Sequence, residues 1–151
     1  MGIQTTSGVV IKIGSAPTTL DKAGYLAVTD SAEIGEVTDI GSIGKLFNTA
    51  THNPIATRGI IEKKTSFNYQ HPALALAIDE ENAGQIACDA AVETDDSYTI
   101  TIIKQNGDAI FFTAQVKSFT VTFGTDAFEN GAIDLLVQSD RVKATAAEIA
   151  A

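Results

Sequence analysis

The chain has 151 residues, a formal net charge of −9, 44% hydrophobic residues and only 19% charged ones. That length suits one domain with a sizeable core, and the hydrophobic share excludes wholesale disorder. The acidity excludes ordinary phosphate-backbone binding, which needs clustered Lys and Arg, whereas here Lys63-Lys64 is the only adjacent basic pair.

A surface short of charge suits subunit contacts, although an ordinary β domain with Thr-rich strand faces has the same composition. Residues 1–6 are polar, with neither the basic cluster nor the apolar run of a secretory leader. No stretch approaches the roughly 20 apolar residues of a membrane helix. The expectation is a chain made and folded in a cytoplasm.

Val9-Val10-Ile11-Lys12-Ile13 reads as a short strand, ended by the turn formers Gly14-Ser15-Ala16-Pro17. Residues 18–30 read as a connection in which Tyr25, Leu26 and Val28 form either a second short strand or a staple onto the core. Ile34-Gly35-Glu36-Val37-Thr38-Asp39-Ile40 reads as strand, with Ile34 and Ile40 on one face, Val37 on the other and a bulge at Gly35. Residues 41–57 show no sustained period and are expected to be a long loop. Such loops are functional or disordered when they occur in a compact domain. This one carries Ile43, Leu46, Phe47 and Ile55, which either dock on a partner or fold back over the core.

From Arg58 the pattern is extended again. Phe67 and Tyr69 alternate with polar neighbours, then Leu74, Leu76 and Ile78 continue on the opposite parity, so a kink or bulge is expected at His71-Pro72. Ala83, Ile86, Ala87, Ala90 and Ala91 then form the apolar stripe of a short helix. Asp79 is placed to cap it, with Glu80 and Glu81 at the favourable end of its dipole. After Thr94-Asp95-Asp96-Ser97 the period drops to two. Tyr98, Ile100 and Ile102 form a strand, and Asn106-Gly107 signals a type I′ hairpin turn. The return strand changes parity near Lys117-Ser118, between Ala114/Val116 and Phe119/Val121/Phe123, which suits a curved sheet. Phe128 to Val137 is the last strand, with Asn130-Gly131 as a candidate bulge. The Ala-rich residues 140–151 are expected to be an appendage.

Catalytic patterns fail. There is no Gly-x-Ser-x-Gly, no phosphate-cradling Gly-rich loop ending in Lys-Ser/Thr, and no His-Glu-x-x-His. Cys88 is the only cysteine, which rules out an intrachain disulfide, and it reads as a small core residue. His52 and His71 have no metal-ligand spacing. Glu80-Glu81 and Asp95-Asp96 sit at a helix start and a turn, where capping and solvation explain them. The chain is therefore read as a non-enzyme without catalytic, metal or cofactor residues.

The order of these elements resembles the tail tube (major tail) protein of long-tailed bacteriophages. The likeness covers most of residues 7–139, with its nearest echoes in Ile34–Ile40 and Asp79–Gln138. Within the second, Gly107-Asp108-Ala109-Ile110-Phe111-Phe112-Thr113-Ala114-Gln115-Val116-Lys117-Ser118-Phe119 is similar to a Gly…Phe-x-Gly-x-Val-x-Ser-Phe run of that family. Residues 18–30 and the Ala-rich tail depart from it.

The resemblance implies a mainly β fold with one α-helix: a small β barrel or sandwich of antiparallel strands, one flanking helix and a long inter-strand loop. It implies a single domain over 1–151, with its core at 7–139, an assembly loop at 41–57 and an appendage at 140–151. It further implies hexameric rings stacked into a tube through which DNA passes without specific binding. The partners would be other copies of the chain, tape-measure and tail-tip proteins, and the location a virion assembled in a host bacterial cytoplasm. Ile43, Leu46, Phe47, Ile55 and Arg58 become subunit-interface candidates. Contractile-tail and type VI secretion tubes share the fold. The rival reading is a monomeric β-sandwich binding module for carbohydrate or a host surface, disfavoured because Trp is absent and there are only three Tyr.

Overall fold

The computed structural model describes residues 7–124 and 128–150; the expectation for residues 1–6 lies outside these. In chain order the elements are β1 (Val10–Gly14), α1 (Lys22–Leu26), β2 (Ala32–Glu33), β3 (Val37–Asp39), β4 (Gly44–His52), β5 (Ile61–Gln70) and β6 (Ala73–Ala77). There follow α2 (Ala83–Val92), β7 (Tyr98–Ile103), β8 (Ala109–Thr122), β9 (Asn130–Val137), β10 (Val142–Ala144) and α3 (Ala146–Ala150). Among the described residues, eight strands form one sheet, in the order β2-β1-β7-β8-β9-β6-β3 with β10 added to β8, while β4 and β5 pair only with each other. Every pairing is antiparallel, and the large sheet curls into a half-barrel.

Period-two alternation puts Ile11, Ile13, Ile100, Phe112, Ala114, Ile133, Leu135, Leu74 and Leu76 on one face, where Cys88 and Ala91 of α2 and Ile34 close the core. Each fully buried large aliphatic or aromatic side chain there contributes about 1.5–3 kcal/mol. The parity change in β8 is a β-bulge: Val116 pairs with Leu135 and Ser118 with Asp134, leaving Lys117 as the extra residue that bends the sheet.

The hairpin stands where Asn106-Gly107 places it, but its turn is not type I′. Ile103 pairs with Ala109, the Lys104 N–H donates to the Asp108 carbonyl (2.7 Å), and of the two turn residues only Gly107 has positive φ (95°). The Asn106 carboxamide oxygen instead accepts from the Asp108 N–H (3.0 Å), which favours a longer loop with glycine in the left-handed position.

Several expectations need correction. The helix is capped by Asn82, not Asp79: its Oδ1 accepts from the Gln85 N–H (3.0 Å) and also from the Gly35 N–H (3.2 Å). Asp79 accepts from the Glu81 N–H, and no acidic residue lies in the first turn. The helix is also rotated relative to its alanine stripe. Gly84, Gln85, Cys88 and Ala91 face inward, whereas Ile86 is 54% exposed. A Cβ at Gly84 would strike the Glu33 carbonyl, so the helix seats on its glycine; Gln85 then donates through Nε2 to the Gly35 and Ala77 carbonyls (2.9 and 3.0 Å).

The Ile34–Ile40 stretch is not one bulged strand. It breaks at Gly35-Glu36, where Glu36 takes φ 60°. Residues 18–30 hold a helix rather than a strand, and the staple alternative is the one realised, through buried Tyr25. Across His71-Pro72 the chain leaves one sheet for the other, a larger change than a kink. Gly131 pairs regularly, so there is no bulge at Asn130-Gly131. Residues 142–144 are a sheet strand with Ala144 buried, not an appendage.

Candidate assembly surface

The stretch expected to be a long loop is mostly the strand β4. It pairs with β5 from Gly44↔Gln70 to His52↔Ile61, with an irregularity between Phe47 and Thr49, and only residues 53–60 connect the two strands. Nine residues at about 3.3 Å each make an arm roughly 30 Å long. Every residue from Lys45 to His52 and from Ile61 to Asn68 is exposed, so the arm lies outside the core on both faces.

Cross-strand pairs hold the arm together. The Phe47 and Phe67 rings are 5.5 Å apart across the two strands, and Phe67 also meets Tyr69 of its own strand edge-on at the same distance. Lys45 Nζ stands 4.6 Å from the Phe67 ring centre and Lys64 Nζ 5.0 Å from that of Phe47. Lys45 Nζ also pairs with the Asp140 carboxylate (2.7 Å), tying the base of the arm to the body. An isolated two-stranded hairpin is marginally stable in water, so these contacts do not replace a partner surface.

The candidate residues separate into three places. Leu46 and Phe47 lie on the arm, 56% and 44% exposed. Ile55 and Arg58 lie in the connection at its tip, both exposed, Ile55 completely. Ile43 is different: it is half-buried against the main core below the arm. Ile60, Ile61 and Phe67 are exposed apolar residues of the same arm that the sequence pattern does not mark, Phe67 because it alternates like any strand residue. The body carries a second apolar group, Val121, Phe123 and Phe128, where β8 ends and β9 begins.

β8 presents a further contact feature. β9 pairs with it from Ala114 to Thr122, but β7 stops at Ala114. Among the described strands, the edge of β8 from Gln115 to Thr122 on the β7 side is unpaired, a row of backbone donors and acceptors ready for another strand. Cys88 offers no reactive group, since burial pushes its thiol up to about 12. Among the described residues, no helix is long and apolar enough to cross a membrane.

No family model and no curated protein matches this chain. Solved structures do. A chain of the anti-feeding prophage baseplate, solved with 6-fold symmetry, superposes with a TM-score of 0.69 at 9% identity, covering 97% of this chain and 99% of that one. The SPP1 tail tube gives 0.68 at 17% identity, covering 95% and 83%. The tail of a gene transfer agent particle, solved with C6 helical symmetry, gives 0.64 at 10% identity, covering 92% and 97%. At such identities the likeness is one of fold, and nearly the whole chain has the tail-tube fold.

Proposed function

We propose that this chain is a structural subunit that polymerises as stacked six-membered rings into a tail tube, the conduit for DNA ejection. The observation that carries this reading is the β4–β5 arm, a two-sided hairpin with Leu46, Phe47, Ile60, Ile61 and Phe67 facing solvent. A monomer leaves that surface without a counterpart, whereas a polymer covers it. The free edge of β8 supports the same reading, because a strand from a neighbouring copy would extend the curled sheet around a ring. The 6-fold and C6 symmetry of two similar structures supports six as the ring number.

In this reading the role has no catalytic step. Ile43, Leu46, Phe47, Ile55 and Arg58 belong to or support the subunit interface, with Ile43 acting from below. A tape-measure protein and tail-tip complex template the first ring, in the host cytoplasm, and the tube becomes part of a virion. The net charge of −9 supports a lumen that repels DNA rather than holding it. The near-equal likeness to the anti-feeding prophage baseplate chain and to the SPP1 tail tube supports the tube role without favouring one machine.

Negative-stain microscopy with size-exclusion chromatography at rising concentration tests the proposal, with and without seeding by preformed tail tips. Rings or tubes with a central hole are expected. A protein that stays monomeric throughout, seeded or not, overturns it.

A further inference from the structure

A groove of about 360 Å³ opens between β1 and residues 33–41. It lies where the two ends of the strand order, β1 with β2 and β3 beside β6, come together across the curled sheet. Its apolar lining includes Val9, Val37 and Ile40, each half-buried against the core and still partly open to solvent. The charged groups lining it are Glu33, Glu36 and Asp39, and no Lys or Arg is among them.

The arm carries the opposite charge. Residues 44–70 hold Lys45, Arg58, Lys63 and Lys64, four of the ten basic residues of the chain, against Glu62 alone of its nineteen acidic ones. The tip combines a fully exposed Ile55 with Arg58 three residues on. An apolar peg beside a cation thus matches an apolar floor rimmed by carboxylates. The groove is small for a drug-sized ligand but suits a few side chains.

We infer that the arm tip of one copy docks in the β1/33–41 groove of another, with Ile55 over Val37 and Ile40 and Arg58 at the Glu33, Glu36 and Asp39 rim. This rests on the tube reading and names the surface that receives the arm. The contact joins two different patches, so it propagates from copy to copy and either closes a ring or continues along a helix. Within one chain it cannot form, because the tip stands roughly 30 Å from the base of the arm.

Disulfide trapping tests the inference. Ala56 and Thr38 are both exposed, and buried Cys88, whose thiol is pushed up to about 12, does not compete. The full-length Ala56→Cys/Thr38→Cys protein, which keeps Ile55 and Arg58, should give a ladder of linked copies when oxidised under assembly conditions. Its yield should be about tenfold above that of Ala56→Cys/Lys143→Cys, whose second cysteine lies on β10, since a disulfide requires Cα atoms within roughly 7 Å. A ladder ending at six places the contact within a ring, and one running past six places it between rings; either supports the docking. Rings or tubes that form without linkage overturn the docking and leave the tube reading standing. Absence of both assembly and linkage, with seeding, overturns both.

Discussion

Tyr25 stacks on Phe111 with ring centres 5.5 Å apart, and its hydroxyl lies 3.1 Å from Ser139 Oγ. Ser139 Oγ already accepts from the Thr113 N–H (3.0 Å) and from the Thr113 hydroxyl (2.9 Å), so its own proton is directed at Tyr25. This small core of Tyr25, Phe111, Ala109 and Ala144 fastens α1 and β10 to β8, separately from the main core. Tyr25→Phe removes the acceptor for that proton and should cost about 1–3 kcal/mol in denaturant unfolding. Tyr25→Ala also opens a cavity and should cost about 3–5 kcal/mol. Equal stability of wild type and Tyr25→Phe would show that the buried hydroxyl pair contributes nothing.

Gly84→Ala places a methyl group against the Glu33 carbonyl, part of a backbone that cannot swing aside as a side chain could. In an open helix the change would stabilise, because alanine is the better helix former. Here the clash dominates, and a loss of about 1–3 kcal/mol is expected in thermal or denaturant unfolding. A gain in stability would mean that α2 lifts off β2 without penalty.

Phe47→Ala in the arm should separate folding from assembly. Phe47 is exposed and belongs to neither buried cluster, so unfolding of the body should shift by less than about 0.5 kcal/mol, while ring or tube formation is lost. Chromatography and electron microscopy read the second effect. Tubes of normal length from Phe47→Ala would remove that residue from the interface.

Acid should loosen the two short terminal helices before the body. The Thr19 hydroxyl, and then the Gly24 N–H, hold the Asp21 carboxyl below its ordinary value. Hydrogen bonding by Lys22 does the same for Glu148, with the Thr145 N–H next. A carboxylate whose folded pKa is depressed stabilises the fold above its unfolded value, and that contribution fades as pH falls through the folded one. The window therefore opens below pH 3.8 for Asp21 and 4.5 for Glu148. Amide exchange in residues 22–26 and 146–150 should rise on acidification through this range, ahead of exchange in β7 and β8. Asp21→Asn should blunt the change in the first segment.

The sheet was legible wherever one face is buried. Along Tyr98–Ile103 isoleucine alternates with threonine because Ile100 and Ile102 enter the main core while Thr99 and Thr101 are buried on the opposite face, and the parity change at Lys117 marks the bulge. The arm was not legible, for the same reason. With both faces in solvent, β4 has no side that must be apolar, so its strand character never shows as a period. The rotation of α2 was hidden because it depends on a glycine and a glutamine, Gly84 and Gln85, which meet the Glu33 carbonyl and the Gly35 and Ala77 carbonyls. Alanine tolerates either side of a helix, so an alanine stripe does not mark the inner face. The exposure of Leu46, Phe47 and Ile55 is visible only in the structure, and nothing in the sequence announces that Lys45 and Lys64 sit over the Phe67 and Phe47 rings.

Those two lysines also bear on how an exposed arm behaves in solution. A bare aromatic hairpin invites edge-to-edge fibre growth, the hazard that β proteins restrain with edge lysines. Lys45 and Lys64 cover the rings with hydrated charge that repels a second arm of the same kind. The two residues that brace the strands of the arm thus also keep one arm from adding edge to edge onto another.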